Sequence, residues 1–177
     1  MLCGLYVKIK KSKYNPLLIA DIDVYRGGKP ERRYENGHCP IIRRSTAVIE
    51  LNVRTTAHTE MRDITAEVQQ EVSKSGVQDG LCVIFVPHTT AAVTINENAD
   101  PDVVRDFTTE IDKIVPWEDG SYHMEGNSAA HLKSSIIGFA ETVIIENGRL
   151  ALGTWQGIYF CEYDGPRTRK VWIKIIN

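Results

Sequence analysis

The architecture follows from one stretch, Leu81-Cys82-Val83-Ile84-Phe85-Val86-Pro87-His88-Thr89-Thr90-Ala91-Ala92-Val93-Thr94-Ile95. Its first six residues are apolar and rich in β-branched side chains, and Gly80 and Pro87 bound them, which predicts a strand buried on both faces. Beyond the Pro87–His88 corner, apolar residues at 91, 93 and 95 alternate with their neighbours and predict a second strand. Polar side chains cluster at the corner and after the second strand, so we expect a functional site there.

Composition and charge exclude several classes of protein. The 177 residues carry a formal net charge of -2, which gives no basis for non-specific binding to nucleic acid. No apolar stretch is long enough to span a bilayer, and Lys8 interrupts the apolar start, so we expect neither a membrane partner nor a secretory signal. The four cysteines show no CxxC spacing, which favours a reducing compartment without disulfides. The predicted location is the cytoplasm.

The chain divides into two regions of unequal character. Residues 1–44 are predicted to be an N-terminal extension, linker-like or weakly structured, with one strand over 17–25 and a polar, turn-rich stretch over 26–37. Residues 45–177 are predicted to form a single domain. Strands and two to three helices follow one another there without regular βαβ order, which predicts an α+β fold. We expect a β-rich sandwich or partly closed barrel of mainly antiparallel strands.

Local signals set several element boundaries within 45–177. Apolar residues at every fourth position from Ile64 predict a helix that Asp63 caps and Gly76 ends. A carboxylate cap followed by proline, Asp100-Pro101, predicts the start of a second helix. The dipeptide Asn147-Gly148 predicts a tight β-hairpin.

Three histidines stand next to predicted turns: His88, His123 and His131. The last lies in the first turn of a short helix that Asn127 or Ser128 is expected to cap. Imidazoles from separate loops can hold one Zn²⁺ and leave a fourth position for water or substrate. The alternative is that each ring is satisfied separately by a backbone carbonyl, and the spacing leaves both interpretations open.

An acidic group stands at the junction between the second strand and the helix that follows. It consists of Asn96, Glu97, Asp100 and Asp102. Carboxylates of this kind can hold Mg²⁺ together with phosphate oxygens of a substrate. Helix capping explains Asp100 and Asp102 equally well, because both lie at the positive end of the helix dipole. Glu97 has no such explanation and is therefore the preferred carboxylate for chemistry.

Two further groups have side chains suited to a phosphorylated heterocycle. In the run Gly153-Thr154-Trp155-Gln156-Gly157, Trp155 offers a flat face to a ring that Gln156 can orient, although a β-bulge with a core tryptophan fits as well. Arg167 and Arg169 carry guanidinium forks that suit phosphate, although a solvated basic edge is the alternative. Additional candidates for the anion pocket are Lys133, Thr89, Thr90 and Ser135.

Three motifs occur together and in order along the chain. They are Pro87-His88-Thr89-Thr90-Ala91 with Asn96-Glu97 and Asp100-Pro101; Asn127 with Ala130-His131-Leu132-Lys133; and Leu152-Gly153-Thr154-Trp155-Gln156 with Asp164-Gly165-Pro166-Arg167. Together they resemble the YjbQ-like family, often labelled secondary thiamine-phosphate synthase. The likeness covers about 45–177, whereas 1–44 have no recognised counterpart.

The resemblance implies a compact β-rich α+β fold, assembly as a homotrimer with a pocket near subunit boundaries, and weak thiamine-phosphate synthase activity. Taken together, the residue patterns and the resemblance give His88, Glu97 and His131 as the expected catalytic residues. The expected metal ligands are His88, His123 and His131. The expected substrate- or phosphate-binding residues are Thr89, Thr90, Asn96, Asn127, Lys133, Trp155, Gln156 and Arg167.

Three functions remain open, all with a small molecule as partner. The first is a transferase that joins a pyrimidine-methyl pyrophosphate to a thiazole phosphate and releases pyrophosphate, with Mg²⁺ or Zn²⁺ as cofactor. The second is a Zn²⁺-dependent hydrolase of a phosphorylated or acylated metabolite, with Glu97 as general base. The third is a trimeric ligand-binding protein without catalytic activity.

Overall fold

A computed structural model of the chain describes residues 5–11, 19–26, 28–35, 47–118, 124 and 126–177. They belong to two compact units, Met1–Arg43 and Arg44–Asn177. Among the described residues, none of the helices combines the length and the apolar character that a membrane span requires.

The first unit contains an antiparallel meander of three strands, β1 (Leu5–Lys11), β2 (Ile19–Arg26) and β3 (Lys29–Glu35). Sequence reasoning predicts one strand over 17–25, which corresponds to β2, and a polar linker after it, so β1 and β3 are two strands that it missed. The chain reverses direction between β2 and β3 at Gly28, whose φ of +80° is a conformation that favours glycine. The register also places Lys8 opposite Asp23, and such pairing of opposite charges favours the ladder.

The second unit contains eight strands in two sheets, and every strand pair is antiparallel. The sheet orders are β4-β11-β6-β8-β9 and β5-β10-β7. Three helices accompany them, which confirms the α+β fold. The elements are β4 (Ile49–Arg54), β5 (Glu60–Asp63), α1 (Thr65–Ser75), β6 (Gly80–Phe85), β7 (Ala91–Glu97), α2 (Pro101–Ile114), α3 (Ser128–Ile137), β8 (Ala140–Glu146), β9 (Arg149–Leu150), β10 (Gln156–Glu162) and β11 (Thr168–Ile176).

The main core lies between the two sheets and is closed by α1. Alternate residues of β11, from Val171 to Ile175, pack in one cluster with Ile158 and Phe160 of β10. A second cluster lies on the other face of the three-stranded sheet, where Ile111 of α2 and Ala130 of α3 cover it. The layers are therefore sheet, sheet and helices, an arrangement that buries both faces of the three-stranded sheet.

The prediction that the strand from Leu81 is buried on both faces is wrong. Cys82 and Ile84 are fully buried, but Leu81 and Phe85 on the opposite face are exposed because no described element of the second unit forms a further layer over this side of the five-stranded sheet. Phe85 lies 5.8 Å from Trp172, measured between ring centroids. We call this side the outer apolar face; its exposed members are Leu81, Phe85, Ile144, Trp172 and Ile176.

The predicted helix boundaries hold within one or two residues. Helix α1 begins at Thr65, and the side chain of Asp63 accepts the backbone N–H of Thr65 over 2.8 Å. Gly76 ends this helix in the left-handed region, with φ of +71°. Asp100 caps α2 by accepting the N–H of Asp102 over 2.9 Å.

Two connections pass from one sheet to the other at the same end of the sandwich. The segment 86–90 leads from β6 to β7, and the segment 163–167 leads from β10 to β11. Both carry polar residues of the predicted site. Because their ends pair in register, Ala91 with Glu162, the two connections lie side by side and can enclose a common space.

Candidate functional site

A cavity of about 330 Å³ opens where the two connections meet the start of α3. Its lining is mainly polar and includes two histidines and two arginines, side chains whose N–H groups suit an anionic ligand. The lining residues are Pro87, His88, Thr89, Thr90, Asn127, His131, Asp164, Arg167 and Arg169. Six predicted site residues from three separate segments therefore come together: His88, Thr89, Thr90, Asn127, His131 and Arg167.

Glu162 and Arg169 form a buried ion pair at the cavity wall. Arg169 donates from Nε to Glu162 Oε2 over 2.7 Å and from Nη2 to Oε1 over 2.5 Å. Its Nη2 also donates to Thr90 Oγ1 over 2.8 Å. Glu162 accepts two backbone N–H groups as well, from Tyr163 at 3.1 Å and from Asp164 at 2.9 Å. Since these bonds fill the lone pairs of the carboxylate, the guanidinium is held in one orientation.

His88 is held by the backbone of β11. Its Nε2 accepts the N–H of Lys170 over 2.9 Å, so the neutral ring carries its proton on Nδ1. Partial burial, together with the positive charge of Arg169, lowers the pKa of His88 and favours this neutral form. His88 therefore offers a ligand a hydrogen-bond donor, not a lone pair.

Asp164 connects the turn before β11 to the start of α3. Its Oδ2 accepts from Arg167 Nη2 at 2.9 Å and from Asn127 Nδ2 at 3.2 Å. Asn127 is the N-cap residue of α3, but its side chain makes no capping bond, and no acidic residue follows in the first turn. The carboxylate of Asp164 therefore lies beside the N-terminus of α3, where the positive end of the helix dipole favours a negative charge.

Lys133 does not line the cavity, contrary to its predicted role in phosphate binding. Its ammonium group is fully buried, forms a short ion pair with Asp112, and lies 3.8 Å from the ring centroid of Trp117. A carboxylate and an aromatic face already satisfy this cation. Helical periodicity explains the outcome, because Lys133 lies two positions after His131 and therefore projects from a different side of α3.

The remaining predicted residues lie at the opposite end of the three-stranded sheet. Glu97 pairs in register with Gln156, whereas Ala91 pairs with Glu162 beside the cavity. The two pairs are six positions apart along extended strands, a span of about 20 Å. Asn96, Glu97, Trp155 and Gln156 are therefore outside the cavity of their own chain. This divides the three predicted catalytic residues, with His88 and His131 at one end and Glu97 at the other.

A second, shallower cavity of about 440 Å³ is formed by Gly153–Gln156 at that opposite end. The loop is ordered by its own bonds, since Gln156 Oε1 accepts the N–H of Gly153 over 2.8 Å and Trp155 O accepts that of Asn98 over 2.8 Å. Trp155 is 65 % exposed, so it is not a core tryptophan. Its ring is available as a flat apolar surface for a ligand.

A metal centre finds limited support among the described residues. No group of three or more His, Cys, Asp or Glu side chains within them is arranged to hold a metal ion. Ligation by His88 also requires the ring to give up its bond to Lys170. His123 lies outside the described residues, so the three-histidine Zn²⁺ site stays a prediction, as does Mg²⁺ bound beside Glu97.

The sequence reasoning missed Glu162 and underrated Arg169. The sequence pattern could have predicted the burial of both residues. Burial alternates along β11 through Val171 and Ile173, and the same alternation places Arg169 on the core side. Glu162 ends an apolar strand that is buried on both faces. A charged residue at a core-facing strand end needs a buried partner, and the two residues supply each other's counter-charge.

Comparison with known proteins agrees with this fold and with these motifs. The family model described as "UPF0047 protein YjbQ-like" matches residues 49–177. The chain is 56 % identical to UPF0047 protein YugU of Bacillus subtilis over 128 residues, which cover 72 % of this chain and 97 % of YugU. It is 47 % identical to UPF0047 protein MJ1081 of Methanocaldococcus jannaschii, over 73 % of this chain and 94 % of that protein.

Solved structures give the same result. A crystal structure of a YjbQ/UPF0047 family protein from Clostridium acetobutylicum is 55 % identical, with a TM-score of 0.71, over 72 % of this chain and 99 % of that one. A YbjQ-like protein of unknown function from Sulfolobus solfataricus is 34 % identical, with a TM-score of 0.72, over 74 % and 96 %. The chain therefore belongs to the UPF0047 YjbQ-like family.

Proposed function

We propose that the protein is a small-molecule transferase of the thiamine-phosphate synthase type. It joins hydroxymethylpyrimidine pyrophosphate to thiazole phosphate and releases pyrophosphate. The observation that carries the proposal is the cavity, in which two guanidinium groups, two histidines and two threonine hydroxyls surround a space suited to a phosphorylated ligand.

The reaction makes demands that these residues can meet. The bond between the pyrimidine methylene carbon and the pyrophosphate oxygen breaks, and the electron pair leaves with the oxygen. The thiazole nitrogen then donates its lone pair to the methylene carbon and becomes a cationic ring nitrogen, so this step requires no base. Negative charge grows on the leaving group, where preorganised donors such as Arg167 and the His88 Nδ1–H stabilise it. Trp155 supports the developing pyrimidine-methyl cation through its ring face.

We further propose that the complete site lies between subunits of a homotrimer. Within one chain, Trp155, Gln156 and Glu97 lie about 20 Å from the cavity, too far to contact the same small molecule. A neighbouring copy can supply them in a head-to-tail ring. The outer apolar face supports such an assembly, because its five exposed apolar side chains lie on one side of neighbouring strands, where another copy can cover them.

The test is a direct assay with purified protein, the two phosphorylated precursors and Mg²⁺, with thiamine phosphate followed over time. Wild type should form product at a rate that His88→Ala lowers by about 100- to 1000-fold, the loss expected for one charge-stabilising donor. Equal trace product from both proteins would remove the proposal.

The Zn²⁺ hydrolase and the non-catalytic binding protein make different predictions. A hydrolase would carry near-stoichiometric Zn²⁺ that disappears in His131→Ala. A binding protein would retain a ligand and turn over neither precursor. Metal analysis and mass spectrometry of the protein as purified separate both from the transferase.

A further inference from the structure

We propose that Arg169 is the receptor for a terminal phosphoryl group in the cavity, and that Glu162 is the positioning residue that keeps its guanidinium fork aimed at this group. The inference rests on the proposed function for the identity of the substrate, but the anion site can be tested without turnover.

Arg169 has hydrogen-bonding capacity that its protein partners do not use. Its Nε and Nη2 are bonded to Glu162 and Thr90, while Nη1 makes no hydrogen bond to the described residues. The side chain is only 5 % exposed, yet it lines the cavity. Nη1 is not fully buried, so it is open to the cavity, where water or a ligand can accept its hydrogen bonds.

Stability alone gives no reason for a charged pair at this position. A buried ion pair can usually be replaced by apolar side chains of similar volume with little loss or even a gain in stability. Arg169 continues the buried side of β11, where Val171, Ile173 and Ile175 are all apolar. An aliphatic residue would suit that side, so the pair is better explained by what its free face binds.

The surroundings of Nη1 suit a tetrahedral oxyanion. The hydroxyl of Thr90 accepts from Arg169 and is therefore free to donate its own proton. His88 offers Nδ1–H. Two acceptor oxygens at the cavity have no partner among the described residues: Asn127 Oδ1, and Asp164 Oδ1, since Arg167 and Asn127 both bond to Oδ2 of that carboxylate. The donor groups of Arg169, Thr90 and His88 outnumber these acceptors, a balance that suits a phosphoryl group with several acceptor oxygens.

The test is calorimetric titration of inorganic pyrophosphate, and separately of inorganic phosphate, into the full chain. The double variant Glu162→Leu/Arg169→Met removes both charges and keeps the site apolar, so it should remain folded. Its affinity for pyrophosphate should fall about 10- to 100-fold, the range for lost hydrogen bonds to a charged group. Arg169→Lys keeps the positive charge but loses the planar guanidinium fork, so it should also bind pyrophosphate more weakly than wild type. This single variant serves as the test if the double variant does not fold.

The matched control is Asp112→Asn/Lys133→Met, which removes the other buried cation and its carboxylate partner. This variant should bind pyrophosphate as wild type does, because Lys133 does not line the cavity. Wild type without measurable binding, an Arg169 variant with unchanged affinity, or an equal loss in the control would each overturn the inference. Arg169-dependent binding in a protein that makes no thiamine phosphate would leave the anion site standing and remove the proposed function.

Discussion

The two ends of the three-stranded sheet present the same strands to solvent in opposite ways. We call them the cavity end, around Glu162 and Arg169, and the tryptophan end, around Trp155. At the cavity end, the carboxylate of Glu162 is buried and fully hydrogen-bonded, and the guanidinium of Arg169 is buried with one N–H pair left unused. At the tryptophan end, an apolar ring stands exposed on a loop ordered by backbone and amide bonds. Substitution of a binding residue at the cavity end should therefore also change the stability of the fold. At the tryptophan end, substitution of Trp155 should affect ligand binding with little effect on stability.

The largest expected effect is the loss of the buried carboxylate. Glu162→Gln leaves Arg169 without its counter-charge and should lower the free energy of unfolding by about 3–5 kcal/mol. Urea denaturation measures it. Glu97→Gln, at the other end of the same strand pair, is the matched control and should change stability by less than about 1 kcal/mol. Similar losses in both variants would contradict the distinction between the two ends.

A smaller effect is expected where the tryptophan end is tightly packed. In Gly157→Ala, the new Cβ would lie 2.7 Å from Asn98 Nδ2 and 2.9 Å from Asn98 Cβ, so the Asn98 side chain must move. Overpacking of this kind costs about 1–3 kcal/mol. Gly153→Ala is the milder companion, because its nearest neighbour, Gln156 Oε1, would lie at 3.1 Å. Thermal unfolding of the two variants should rank them in that order.

The pH dependence of stability should carry a contribution from His88 at the cavity end. Its pKa in the folded protein is lowered, so the unfolded chain binds the proton more readily. The contribution is present above the unfolded pKa of about 6.5 and is lost as pH falls toward the folded value. His88→Gln should flatten this part of the curve relative to wild type. A curve for wild type that rises as pH falls through this window would contradict the assignment.

The smallest effect on stability is expected for Trp155→Ala. The ring is 65 % exposed, so the free energy of unfolding should change by no more than about 0.5 kcal/mol. Turnover should fall nonetheless, because the ring is proposed to support the pyrimidine of the substrate. Denaturation and the synthase assay on the same preparation check both statements. A large loss of stability would mean that the ring is structural.

Much of this fold could be predicted from local pattern. Asp100-Pro101 and Gly76 marked helix boundaries because capping depends on neighbouring residues alone. The alternation of apolar and polar residues likewise predicted the buried face of β11, because it depends only on residues close together in the sequence. Exposure of Phe85 could not be predicted, because a run of apolar residues does not reveal whether a second layer covers the sheet.

The candidate site was predictable only in its composition. Motifs identified His88 and Arg167, and periodicity indicates the side of the helix or strand from which Lys133 and Arg169 project. No local pattern shows that Asp112 lies beside the first and the cavity beside the second. Pairing between residues distant in sequence decides such outcomes. The separation of Trp155 from His88 is also a consequence of strand register, which a list of motifs does not contain.

The most direct test of the shared site is complementation between two inactive variants. One carries His88→Ala and Arg167→Ala at the cavity end, and the other carries Trp155→Ala; the two are co-expressed and purified together. If neighbouring subunits supply the two ends, the mixture should regain roughly a quarter of wild-type turnover, the statistical share of interfaces that combine two intact ends. A mixture no more active than its parents, beside active wild type, would contradict a site shared between subunits.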